Sequence, residues 1–288
     1  MISASVRPVR ARWTNRESLR HLDPEVDYEV IYATTALREF PWDITRALEL
    51  ALYRTFCVPS IAALLDETGE FRLRTQKRFD DTVLLLTTAL ENGLESPAGR
   101  SAVQRINAIH RRFDIRDEDY LYTLATFVFV PLRWLDRWGW RPLLEVERQG
   151  MLGYYRRLGQ LMGIRGIPAS LEAFEEFFDA FEREHFAYGD PQRRTATATR
   201  ELVASWLPAP LAPAVRLGVN ALLDGPVRAS FGFPDPPRWL PPLVSAGLHA
   251  RARVERLLPP RSTPICSADS MLVRSYPDGF TVSELGPA

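Results

Sequence analysis

Cysteine is scarce in this chain: two in 288 residues, Cys57 and Cys266. They stand too far apart for a CxxC pair or a zinc-finger ligand set, and a reduced, cytoplasmic chain is the expectation. Neither sign of charge is in excess, since 36 Lys+Arg face 36 Asp+Glu. A nucleic-acid binder carries a basic surplus or stripe, so no nucleic-acid partner is expected. No stretch approaches the ~18 uninterrupted apolar residues of a membrane span. The most apolar one, Tyr120 to Leu135, is broken by threonines, Pro131 and Arg133, so any membrane contact is expected to be peripheral. The N-terminal MISASVRPVRARW is basic but has no apolar run behind it, unlike a secretory signal. Repeats, low-complexity linkers and a series of alternating strands are missing too.

What is present is helix punctuation. Asp43 precedes ITRALELALYRTF, whose apolar residues recur at three- and four-residue steps. Thr75 reads as an N-cap for a helix through about Leu90, with Asn92-Gly93 as its stop. Ser96-Pro97 is an N-cap followed by proline at the first helical position, opening a helix through about Arg112. Asp117 and Asp119 introduce the next, which Pro131 is expected to kink or end. Further helices are expected from Leu143 to Gly163, after Ser170, from Asp190 to Trp206, and from about Leu243 to Leu258. The class is all-α, as a single large domain; two subdomains divided near Pro208 are the alternative. Residues 1–19 read as an N-terminal extension, 20–260 as the helical domain and 261–288 as an extended arm with a turn at Pro277-Asp278-Gly279.

Of the four histidines, 21, 110, 185 and 249, no two share a helix at metal-ligand spacing. Glu182-x-x-His185 is a single such pair where a di-iron centre needs two, and His185 reads as structural. In KRFDDT, Arg78, Asp81 and Thr82 fall three and four apart and share one helical face. The VLLLTTAL that follows is apolar nearly all round, which places this helix deep in the core. A buried guanidinium, carboxylate and hydroxyl must be paired or bound to something; a structural Arg78–Asp81 pair is the plain reading. His110 lies on the apolar stripe Val103, Ile106, Ile109, Phe113 of the next helix. It is either a hydrogen-bonded core histidine or an imidazole ligand to haem iron. Tyr120, Tyr122, Phe127 and Phe129 are plain core or the wall of an apolar pocket.

At these residues the chain resembles the MpaB and rubber-oxygenase (latex clearing protein) family, most closely its MpaB-like branch. The likeness runs through HLDPEVDYEVIYATTALREFPWDITRALELALYRTF, KRFDDT, NAIHRRFDI, EDYLYTLATFVFVPLRWLDRWGWRPL and GIRGIPASLEAFEEFFDAFEREHFAY, with YPDGF and LGP in the tail. It implies an all-helical fold with globin-like packing around a haem b pocket and His110 as the axial iron ligand. It places Arg78 and Thr82 beside the haem: Arg78 to stabilise a propionate or a reduced-oxygen species, Thr82 to donate toward bound oxygen. Latex clearing proteins carry a lysine just before that threonine; here it is Asp81, expected to orient Arg78 or relay a proton. The implied partners are molecular oxygen and a hydrophobic, prenyl- or alkene-containing small molecule, oxidised or cleaved at C=C. A haem protein with a peroxidase, sensor or carrier role, and a helical binding protein without haem, are the alternatives.

Overall fold

Helices make up the regular structure of residues 11–265 and 273–287, the part of the chain that the computed structural model describes, and no strand forms among them. Cys266 and residues 1–10 lie outside it. The helices are α1 (Thr14–Leu19), α2 (Tyr28–Thr34), α3 (Pro41–Phe56), α4 (Pro59–Thr68), α5 (Glu70–Leu73), α6 (Thr75–Asn92) and α7 (Pro97–His110). They continue as α8 (Asp117–Trp138), α9 (Glu145–Leu161), α10 (Leu171–His185), α11 (Asp190–Ser205), α12 (Ala212–Leu222), α13 (Gly225–Phe231) and α14 (Leu240–Glu255).

Caps explain the ends that frame the site. Ser96 accepts a hydrogen bond from Gly99 N at 2.9 Å and Pro97 takes the first helical position. Gly99 has no substitute there: a Cβ would lie 2.0 Å from Gly93 O, so only glycine lets α7 start against the exit of α6. That short connection folds α7 back along α6, and the two pack together. Asp117, Glu118 and Asp119 fill the first turn of α8, where the helix dipole favours negative charge.

Three expected boundaries differ. α3 begins at Pro41, and Asp43 is a buried residue of its first turn, accepting from Trp134 Nε1 and from Arg251. Thr75 is not a cap; its hydroxyl donates to Phe71 O. Pro131 does not end α8, which runs unbroken to Trp138. A proline inside a helix costs about 3 kcal/mol. The residues after it, Leu132, Trp134, Leu135 and Trp138, are all buried, and burial of each large side chain contributes about 1.5–3 kcal/mol. Packing therefore outweighs the local cost.

The main core lies between α2, α3 and α6 to α10, with α8 running along α3 and α2 along α9. A smaller cluster joins Tyr53, Phe56 and Phe71 to Ala196, Val219 and Phe231. It draws on both sides of Pro208, so the chain does not divide there. Between α2 and α3 the backbone widens into a π-helical turn, Thr35–Glu39. The buried Arg141 guanidinium anchors it, donating to Glu39 and, from the other side, to Glu147, both at 2.7 Å.

Candidate active site

α7 ends in a loop that turns the chain into α8, and this places His110 beside Tyr120 of the first turn of α8. His110 Nδ1 and the Tyr120 hydroxyl share a hydrogen bond of 2.7 Å, with the rings edge to face. Nε2 has no hydrogen-bond partner among the described residues. A helix C-terminus favours a cation, yet burial outweighs it here. Burial, reinforced by the nearby positive Arg78, pushes the His110 pKa down to about 4. The imidazole is therefore neutral at neutral pH and keeps a lone pair for a ligand.

Arg78, Asp81, Thr82 and His110 all line one cavity of about 460 Å³ between α4, α6, α7, α8 and α9. The volume falls within the roughly 300–1,000 Å³ of small-molecule and cofactor pockets. Its remaining wall is mostly apolar, including Leu85, Ile106, Leu124, Phe127 and Met162, while Arg112 and Arg116 stand among its exposed residues.

The expected Arg78–Asp81 pair does not form. The Asp81 carboxylate accepts from Lys77 Nζ at 2.9 and 3.1 Å and from the Tyr276 hydroxyl. Lys77 also donates to Gly286 O, and Asp80 accepts from the backbone N–H groups of Arg274 and Ser275. Asp81 thus fastens the C-terminal arm to α6. Arg78 donates to the Thr82 hydroxyl and lies over the Phe71 ring, and no carboxylate is within ion-pair distance of it among the described residues. Burial lowers its pKa, against the raising effect of Asp81 and Glu70. The Thr82 hydroxyl proton is already given to Arg78 O at 2.9 Å, so Arg78 is the donor available to a bound group.

Only half of the expected aromatic wall faces this cavity. Tyr120 and Phe127 line it. Tyr122 and Phe129 point the other way, packing on Phe178 of α10. Residues seven apart share a helical face, and the two pairs fall on opposite faces. His185 stacks on Phe181 and bonds its carbonyl, while Glu182 pairs with Arg54, so both residues of the Glu182–His185 spacing have other partners. Among the described residues no group of three or more His, Cys, Asp or Glu is placed to hold a bare metal ion.

Sequence reading missed Tyr120 as the partner of His110 and Lys77 and Tyr276 as the partners of Asp81. The Lys77–Asp81 spacing of four was the available signal; Tyr276 is remote in sequence and left none. A test of the arm follows. Asp81→Asn weakens a charge-assisted contact worth about 1.5–3 kcal/mol, so tryptic cleavage at Arg274–Ser275 should accelerate at least about tenfold. An unchanged digestion rate would contradict this role.

The family described as "ER-bound oxygenase mpaB/B'/Rubber oxygenase, catalytic domain" matches residues 44–254. The chain belongs to this family. It is 32% identical over 169 residues to "ER-bound oxygenase mpaB" of Penicillium roqueforti (strain FM164), a match covering 56% of this chain and 56% of that protein. It is 29% identical over 266 residues to "ER-bound oxygenase mpaB'" of Penicillium brevicompactum, covering 85% of this chain and 62% of the relative. The chain thus spans less than two thirds of the length of these relatives. The matched family segment, 44–254, contains Arg78, Thr82 and His110.

Proposed function

We propose that this chain is a haem-b-dependent oxygenase acting on a hydrophobic small molecule that carries a prenyl or other alkene group. The observation that carries the reading is the pairing within one apolar cavity of a neutral, half-satisfied imidazole and a half-buried guanidinium without a carboxylate. A cation on an apolar cavity wall without a carboxylate favours an anionic partner, and an unpaired Nε2 could hold a haem iron. The donor set fits haem: one imidazole would hold the iron, and Arg78 with Arg112 would hold the propionates, Arg116 being paired with Glu118 and Asp119. Haem, when bound, supplies the iron at which dioxygen is taken up and activated.

The side chains do the rest. With Nδ1–H donating to the Tyr120 oxygen, Nε2 keeps its lone pair and the ring is held in one orientation. Arg78 holds negative charge in a medium where it counts for more than in water. Leu85, Ile106, Leu124 and Phe127 exclude water and favour an apolar substrate. Cleavage of one C=C by one dioxygen into two carbonyl groups requires no external reductant. Haemin titrated into the purified chain should give a Soret band saturating at one equivalent, and the loaded protein should consume oxygen with a prenyl alkene and release carbonyl products. A spectrum no different from free haemin would overturn the reading.

The named relatives are ER-bound proteins, and one face of this chain suits a membrane surface. No single helix among the described residues is long and apolar enough to cross a bilayer; α3 and α4 together reach that length but bend by 100° between them. α14 and the residues that flank it instead leave Trp239, Leu243, Val254 and Leu257 exposed, the last by 85%, beside the exposed Arg238, Arg253 and Arg256. Apolar side chains flanked by arginine suit an anionic interface. Phosphatidylcholine–phosphatidylserine vesicles should co-sediment the protein, and Leu243→Asp with Leu257→Asp should abolish it. Equal sedimentation of that variant would exclude this face.

A further inference from the structure

A second cavity, of about 610 Å³, opens between α2, α3, α6, α9 and α14. It shares Leu52, Thr82, Leu86, Phe127 and Leu158 with the cavity that holds His110. The two spaces therefore meet at a wall in which Thr82 is the polar residue. Ile44, Leu48, Val83, Leu86 and Leu90 make most of the second cavity apolar. Its charges are gathered on α3, α14 and the segment after α14: Arg46, Glu49, Arg251, Glu255 and Arg261.

The state of those charges says what they lack. Glu255 is taken by Arg261 at 2.7 Å and by Arg12 at 3.3 Å. Arg251 donates Nη2 to Asp43 at 2.6 Å, and Arg46 Nη2 stands 2.6 Å from Glu49 Oε1 as an ion pair without hydrogen-bond geometry, so that oxygen has no donor among the described residues. Arg46 Nε and Arg251 Nε are buried with no acceptor among the described residues. Burial raises the Glu49 carboxyl to about 7, with Arg46 pulling it the other way, so near neutral pH Glu49 does not fully offset Arg46. Those two Nε groups are sealed off, but the Arg46 and Arg251 side chains as a whole stay 22% and 25% exposed on the cavity they line, which leaves guanidinium surface for an anionic group. Six residues separate Arg46 from Leu52, a rise of roughly 9 Å along α3, so an apolar chain can run from the arginines to the shared wall.

We propose that the second cavity is the substrate site and takes an amphiphile with a carboxylate head, the head held by Arg46 and Arg251 and the apolar chain directed toward Thr82. This rests on the haem reading of the first cavity for its catalytic meaning, but the binding claim stands apart from it. Dodecanoate, dodecanol and dodecylammonium serve as probes, titrated by calorimetry into the chain with and without haem. Dodecanoate should bind at least tenfold more tightly than dodecanol, and dodecylammonium more weakly still. Arg46→Met should weaken dodecanoate about tenfold or more and leave dodecanol unchanged, with Arg46→Lys recovering part of the loss. Val83→Trp, which narrows only the second cavity, should abolish binding of both while haem uptake, read from the Soret band, is kept. Equal affinity for dodecanol, an Arg46→Met variant that binds dodecanoate normally, or binding that survives Val83→Trp overturns the proposal. A chain that refuses haem yet keeps this probe ranking overturns the oxygenase reading and leaves the carboxylate site standing.

Discussion

Replacing His110 with alanine is expected to lower haem affinity by at least about 100-fold while leaving the fold intact. Loss of groups that merely support a metal ligand costs 10- to 100-fold, and His110 is the ligand itself in this account. Its imidazole fills no part of the tightly packed core; it stands at the end of α7 on the cavity wall, tied by one hydrogen bond to Tyr120. Truncation therefore frees a hydroxyl rather than a packed side chain, and the circular dichroism of the variant should match wild type. Tyr120→Phe should act more mildly, lowering haem affinity by up to about tenfold, because the ring loses its orientation and not its lone pair. Haem titration followed in the Soret region checks both. Wild-type affinity in His110→Ala would remove the axial ligand from the account.

Arg141→Met should be the most damaging single change to stability. The Arg141 guanidinium and the carboxylates of Glu39 and Glu147 are all at most 1% exposed. Removing the cation leaves two buried carboxylates with Arg12 alone nearby, 3.6 Å from Glu39. Breaking such a network costs about 3–5 kcal/mol, and each kcal/mol moves the midpoint of a chain of this size by roughly 2–4 °C. A fall in Tm on the order of 10 °C follows. Adding Glu39→Gln and Glu147→Gln should recover part of it, since the uncompensated charge is what costs. A variant melting within a degree or two of wild type would show that the network holds little. The consequence reaches the site, because Ala36 and Leu37 of the π-helical turn that Arg141 anchors line the second cavity.

The helices were largely legible because their signals are local. Ser96-Pro97 caps α7 as its sequence indicates, and the apolar stripe of α7 does turn His110 inward. The face shared by Arg78, Asp81 and Thr82 follows from spacing alone, and all three line the same cavity. Partners across the fold were not legible. Asp81 is claimed by Lys77 and by Tyr276, 195 residues away, and no local rule weighs that contact against Arg78 three residues off. Asp43, which resembles a cap, is drawn inward by Trp134 and Arg251 for the same reason. Pro131 does not end α8, because its cost is local while the burial that overrides it is spread over the second half of the helix.

The central claim is that His110 binds the iron, and the ferrous iron–histidine stretch in resonance Raman reports that bond directly. The haem-loaded wild-type chain should show the band, His110→Gly should lose it, and added imidazole should restore it. A band that persists unchanged in His110→Gly would contradict the account.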